Sequence, residues 1–169
     1  MNIVRDFPEF HQFISNKALL KISEFFLKTK AIQSVFDTSA MRIDEPSPKP
    51  SLEWHQDYPF NMMADDTITY WVPIQNIRIE HGPIYFVPKS HNEILPINYS
   101  KKKKENHYEP NYISIKNIDQ HEISFKRNEF TFRKGIDAGS VLLINSKVVH
   151  RSGSNYSKNP RWVAICRHG

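Results

Sequence analysis

Residues 67–88, TITYWVPIQNIRIEHGPIYFVP, decide what kind of fold this chain adopts. Positions 67–74 mix β-branched with aromatic residues, and 82–88 form a short apolar run held between breakers, so both stretches read as strands. Working outward, NEFTFR at 128–133 alternates, and GSVLLIN at 139–145 and RWVAICRH at 161–168 complete a set of strand candidates. Residues 89–128 are polar, lysine-rich and poorly periodic, and no internal repeat or Gly-rich phosphate loop is present. Many short strands without alternating helices argue for a sandwich or jelly roll over a doubly wound sheet.

Upstream, NKALLKISEFFLKTKAIQSVF from Asn16 places Leu19, Leu20, Ile22, Phe25, Phe26 and Leu27 at helical spacing, with Asn16 as N-cap. SVFDTSAMRI at 34–43 reads as a strand. Pro46, Pro48 and Pro50 then make 44–51 a loop. The expected architecture is mainly β, a jelly roll with a short N-terminal helical segment.

Composition narrows the function. At 169 residues, with 39% hydrophobic and 12% aromatic content, the chain can bury one ordinary core, so a single domain over residues 1–169 is expected. The net charge of +5 rests largely on four consecutive lysines at 101–104, and no basic amphipathic helix accompanies them, so no nucleic-acid partner is expected. One cysteine, Cys166, permits no internal disulfide, which fits a reducing cytoplasm. No targeting signal and no membrane-length apolar window is legible.

The chemistry starts at residues 54–59, WHQDYP. In an extended strand successive side chains point to opposite faces, so His55 and Asp57 share one side and Gln56 the other. A facial site for non-haem Fe(II) needs two imidazoles and one carboxylate. The chain has eight histidines, at 11, 55, 81, 91, 107, 121, 150 and 168, so seven besides His55 could supply the second imidazole. His150 fits best, because it ends a buried-looking strand and turn, GSVLLINSKVVH, and precedes a polar segment suited to ligand contact.

Taken in order, WHQD at 54–57, YWVPIQNIRIEHGPIYFVPKSH at 70–91 and GSVLLINSKVVHRSGSNYSKNPR at 139–161 resemble the phytanoyl-CoA dioxygenase family of Fe(II)- and 2-oxoglutarate-dependent oxygenases. The resemblance implies a double-stranded β-helix, with His55, Asp57 and His150 as iron ligands and catalytic centre. It also implies that Arg161 anchors the distal carboxylate of 2-oxoglutarate and that the Ser152 hydroxyl shares it. A guanidinium suits that task through its bidentate, charge-assisted grip. The implied reaction consumes O2 and 2-oxoglutarate, releases succinate and CO2, and hydroxylates a small-molecule substrate. An intact carboxylate at 57 favours hydroxylation, since related halogenases carry a small residue there.

Only 54 residues precede His55, fewer than is usual in the family, so the N-terminal half is expected to be shortened. No amide for the proximal end of 2-oxoglutarate is identifiable in 34–43. Two other readings share the ligands: a non-catalytic jelly-roll metal-binding module or inactive relative, and a zinc hydrolase, which would leave Arg161 without a purpose. Plainer roles are expected for the remaining residues. Trp54 packs, Trp71 packs or lines the cavity, Asn155 shapes a turn, and Cys166 is a small apolar residue of the last strand. His91 lies in a loop, and His81, His107 and His121 are exposed.

Overall fold

The computed structural model describes residues 3–30, 32, 39–60, 64–100, 112–115 and 118–169. Two short helices open the chain, α1 (Pro8–Ile14) and α2 (Lys17–Leu27). Among the described residues nine strands follow: β1 (Ala40–Asp44), β2 (Ile68–Pro73), β3 (Ile84–Phe86), β4 (Ile97–Ser100), β5 (Tyr112–Ile115), β6 (Phe130–Thr131), β7 (Leu142–Asn145), β8 (His150–Ser152) and β9 (Arg161–His168). A third helix, α3 (Ile118–Asn128), separates β5 from β6.

The strands form an antiparallel sheet of order β1-β9-β2-β7 and a second of order β6-β3-β8, with β4 and β5 paired apart. The two main sheets enclose a cavity, as a jelly roll requires. Their shared core includes Trp71, Ile84, Ile144, Val163 and Ile165. The opposite face of the first sheet, through Ile68, Tyr70 and Cys166, packs on Phe10 and Ile14 of α1 and Leu19 of α2. Because β2 and β9 are covered on both faces, their sequences read as nearly continuous apolar runs rather than clean alternation.

A buried polar cluster fixes the helices to that sheet. Tyr70 donates to the Leu19 carbonyl at 2.9 Å, and Ser23 Oγ lies 2.5 Å from the Tyr70 hydroxyl and 2.8 Å from His168 Nδ1. His168 Nε2 donates to the Ile14 carbonyl at 2.7 Å. Burial pushes the His168 pKa down, and burial pushes the Cys166 thiol up to about 12, so Cys166 behaves as the small apolar group expected of it.

Asn16 caps α2 as expected, its Oδ1 accepting from the Ala18 N–H at 2.9 Å. The helix ends at Leu27 because Lys28 turns left-handed, φ 54°. Leu19 and Ser23 form its buried face, while Phe25 and Phe26 point outward. β1 is shorter than the expected strand, and positions 34–38 of that strand lie outside the described residues, as do the lysines at 101–104 and His107. The segment 89–128, expected to be irregular, contains β4, β5 and α3. Phe125 of α3 is buried against Trp54, ring centroids 5.5 Å apart, so that helix is held by tertiary packing. Gly82 has φ +70°, and a Cβ there would overlap the Gly153 carbonyl oxygen. Two glycines therefore let the turn before β3 touch the turn after β8.

Candidate metal centre

The segment holding His55 and Asp57 is not the extended strand expected of it. Only His55 pairs, in an isolated bridge in which His55 and His150 exchange backbone hydrogen bonds of 2.9 Å. The chain then turns through a short 3-10 helix, Tyr58–Phe60, closed by the Phe60 N–H on the Asp57 carbonyl. His55 and Asp57 still emerge into the cavity. Gln56 faces away, donating to the carbonyls of Glu93 at 2.8 Å and Lys147 at 2.5 Å and accepting from the Leu95 N–H at 2.9 Å.

That bridge brings the distant His150 beside His55, ring centroids 4.2 Å apart. His55 Nε2 lies 3.7 Å and His150 Nε2 3.9 Å from Asp57 Oδ1, and the three candidate ligand atoms all fall within 4.8 Å of one another. All three residues are buried. Each imidazole is oriented from behind: His55 Nδ1 donates to the Glu53 carbonyl at 2.6 Å and His150 Nδ1 to the Val148 carbonyl at 2.9 Å. A carbonyl only accepts, so Nδ1 carries the proton and the Nε2 lone pairs face the carboxylate. Metal-binding histidines in general are oriented by the same kind of contact.

The electrostatics suit a cation. Burial, with the neighbouring His150 ring, pushes the His55 pKa down to about 3, so this imidazole is neutral at neutral pH. Burial acts to raise the Asp57 carboxyl, but the neighbouring Arg167 guanidinium, with the Thr69 hydrogen bond, acts against it and the pKa is held well below the usual carboxylate range. A neutral imidazole and an ionised carboxylate are the forms a divalent metal requires. Two imidazoles and one carboxylate, without thiolates, fit a non-haem iron centre.

Arg161 and Ser152 line the same cavity. Arg161 is 2% exposed, and its Nε and Nη2 donate to Asp44 Oδ2 at 3.2 and 2.6 Å. One edge of the guanidinium thus meets a carboxylate of the protein itself. The remaining terminal nitrogen, Nη1, is buried without a hydrogen-bond partner among the described residues. Arg42 completes the group, its Nε donating to Asp44 Oδ1 at 3.0 Å and its Nη2 to Ser152 Oγ at 2.9 Å. Two guanidiniums against one carboxylate leave a net positive charge beside a free donor. Asn155 supports Asp44 from behind, its Nδ2 donating to the Asp44 carbonyl at 3.1 Å and to Asn159 at 2.9 Å.

Sequence reading missed Arg42, Asp44, Thr69 and Arg167. Arg167 shares the strand parity of Arg161, and Thr69 that of Trp71, so inward-facing polar residues on otherwise buried strands were the available signal. Trp71 both packs in the core and lines the cavity, and Trp54 packs without reaching it. His91 is exposed in a short 3-10 turn. His81 and His121 are half-buried instead of exposed: His81 Nδ1 accepts from the Arg78 N–H, and His121 stacks on Phe125. The enclosed space is about 30 Å³. That is roughly the share of one water.

No curated protein matches the chain in sequence. Among solved structures, the epimerase SnoN, described as a non-heme alpha ketoglutarate dependent enzyme from nogalamycin biosynthesis, superposes with a TM-score of 0.71 at 16% identity, covering 99% of this chain and 60% of that one. SnoN in complex with Fe3+, alpha ketoglutarate and nogalamycin RO gives 0.69 at 17% identity, covering 99% and 60%. EvdO2 from Micromonospora carbonacea var. aurantiaca, complexed with 2-oxoglutarate, gives 0.70 at 15%, covering 93% and 61%. The chain spans about three fifths of the length of these structures, and the likeness is one of fold. A profile of the phytanoyl-CoA dioxygenase (PhyH) family matches residues 8–163, from α1 into β9 and across both halves of the ligand cluster. By that match the chain belongs to the phytanoyl-CoA dioxygenase family.

Proposed function

We propose that this chain is an Fe(II)- and 2-oxoglutarate-dependent oxygenase that hydroxylates a small molecule, with His55, Asp57 and His150 holding the iron. Arg161 and Ser152 anchor the distal carboxylate of 2-oxoglutarate. The observation that carries this reading is one cavity containing both a three-residue ligand cluster within 4.8 Å and the buried, unpartnered Nη1 of Arg161. SnoN with Fe3+ and alpha ketoglutarate, and EvdO2 with 2-oxoglutarate, share the fold and support the assignment.

Iron with 2-oxoglutarate supplies O2 activation, oxidative decarboxylation to succinate and CO2, and delivery of one oxygen atom to a substrate C–H bond. The chain supplies binding and orientation. The Glu53 and Val148 carbonyls hold both imidazoles with Nε2 inward. Asp44 fixes one edge of Arg161, so the co-substrate is met by Nη1 and the outer hydrogen of Nη2, not by the side-on edge. Ser152 accepts from Arg42, which leaves its own O–H to donate to a carboxylate. Three arginines, 42, 161 and 167, face two carboxylates, 44 and 57, in the same neighbourhood. The excess positive charge draws in a dianionic keto acid. Trp71, Ile84, Ile144 and Ile165 form an apolar wall that excludes water. The Asp57 carboxylate occupies the position a halide would need, which favours hydroxylation.

The test is anaerobic addition of Fe(II) and 2-oxoglutarate to the purified protein. A visible charge-transfer band is expected, lost in His150→Ala and Asp57→Ala and weakened at a given 2-oxoglutarate concentration in Arg161→Ala. A folded wild type with no band rejects the reading. A metal-binding module without turnover is the second reading, favoured by the small enclosed volume of about 30 Å³. Oxygen consumption that depends on 2-oxoglutarate would exclude it.

A further inference from the structure

Asp57 has two oxygens, and the structure treats them differently. Oδ1 faces both imidazole Nε2 atoms, at 3.7 and 3.9 Å. Oδ2 points away from them and accepts two hydrogen bonds, from Thr69 Oγ1 at 2.8 Å and from Arg167 Nη2 at 3.3 Å. A carboxylate oxygen offers about two lone-pair sites. Both on Oδ2 are therefore occupied by the protein. The donors are register partners on adjacent strands, Thr69 of β2 opposite Arg167 of β9, in the middle of the four-stranded sheet. Thr69 is 3% exposed, so its hydroxyl is shielded from bulk solvent. The two donors sit on the paired interior strands of the sheet, and the carboxylate they hold lies outside any strand, just before a 3-10 turn.

We propose that Thr69 and Arg167 are positioning residues for Asp57: by holding Oδ2 they restrict the carboxylate to one oxygen toward the ion. Carboxylates otherwise bind metals through one oxygen or both. With two imidazoles and a single oxygen, a six-coordinate ion keeps three adjacent positions. A second carboxylate oxygen would take one of them. On the oxygenase reading, on which this consequence rests, the open positions would be needed for the keto acid and O2, and a second Asp57 oxygen would compete for one of them. Asp57 precedes the 3-10 turn and belongs to no strand, so its carboxyl plane is set by these side-chain contacts.

The test uses the metal alone. Co(II) is titrated into the wild type, Thr69→Val, Thr69→Ser, Arg167→Met and Arg167→Lys, following visible absorption, which reports coordination number and symmetry. Thr69→Val removes one donor without changing volume or charge. It is expected to change the Co(II) band shape and to weaken binding about tenfold or more. Arg167→Met also removes a positive charge near the ion, which favours a cation, so its readout is the spectrum. The Ser and Lys variants retain a donor for Oδ2 and are expected to return the wild-type spectrum. A merely structural defect lowers the fraction of folded protein, followed by circular dichroism, and leaves the spectrum of the bound ion unchanged.

Wild-type spectra and affinity in Thr69→Val, together with a wild-type spectrum in Arg167→Met, would overturn the proposal, and so would a wild type that takes up no Co(II). If one variant does not fold, the other decides. A protein showing the expected Co(II) pattern but no Fe(II)–2-oxoglutarate band would lose the oxygenase reading and keep the positioning of Asp57.

Discussion

Asp44→Leu isolates the ion pair at the end of the cavity. Asp44 and Arg161 are 6% and 2% exposed and joined at 2.6 and 3.2 Å, so removing the carboxylate strands a guanidinium in the interior. Breaking a buried pair this way costs about 3–5 kcal/mol, whereas replacing both partners with apolar groups is close to neutral. For a chain of this length each kcal/mol shifts the melting temperature by about 2–4 °C. Asp44→Leu should therefore melt about 6–20 °C below wild type, and Asp44→Leu/Arg161→Met should recover at least half of that loss. Thermal melts followed by circular dichroism, with denaturant titrations for the free energies, read the cycle. The same pair sets an acid limit. Burial raises the Asp44 carboxyl, but Arg42 and Arg161 overcome it and hold the pKa below the ordinary value. Its stabilisation is present above the unfolded value of about 3.9 and is lost as the pH falls through the lower folded value. Part of the wild type's loss of stability at acid pH should therefore be missing from Asp44→Leu. A single variant that melts within about 2 °C of wild type, or a double variant no better than the single, would refute the claim that Arg161 depends on Asp44 for its charge balance.

Further outcomes follow from other contacts. His55 is buried with its pKa lowered to about 3, so unfolding the metal-free protein takes up a proton between about pH 6.5 and that value, and stability falls with decreasing pH by about 1.4 kcal/mol per unit from this group. The lowered His168 pKa acts in the same direction, and denaturant melts across pH 5 to 7 would measure the combined slope, roughly, by linkage. Gly153→Ala would bring a Cβ to 2.7 Å from the Pro83 carbonyl oxygen and should destabilise the protein by about 1–3 kcal/mol in the same melts. Ser23→Ala removes the hydroxyl shared by Tyr70 and His168 and should cost about 1–3 kcal/mol while leaving Co(II) binding unchanged, because the cluster lies on the face of the sheet opposite the cavity.

Local pattern carried much of the fold. The β-branched and aromatic runs at 67–74, 82–88, 139–145 and 161–168 each contain a strand, and Asn16 caps a helix, because strand composition and capping depend on near neighbours. The segment 89–128 was not legible, since α3 is polar overall and is held by Phe125 packing on Trp54, a residue far away in sequence. The exposure of Phe25 and Phe26 was equally hidden, because periodicity gives a helix its faces but not the neighbour each face meets.

For the site, the sequence by itself determined the ligand types. An imidazole and a carboxylate two residues apart, a distal His in GSVLLINSKVVH and an arginine eleven residues later can be read in one dimension. Only the tertiary structure decided how those groups are used. The backbone bridge between His55 and His150 joins segments ninety-five residues apart and stands in for the strand the local pattern suggested. The engagement of one Arg161 edge by Asp44, and the division of Asp57 between the imidazoles and the Thr69–Arg167 pair, arise because strands distant in sequence become neighbours in a sheet. A side chain's type is written locally, but the partners that consume its hydrogen bonds and balance its charge are chosen by chain crossings, and those set what it has left to offer a ligand.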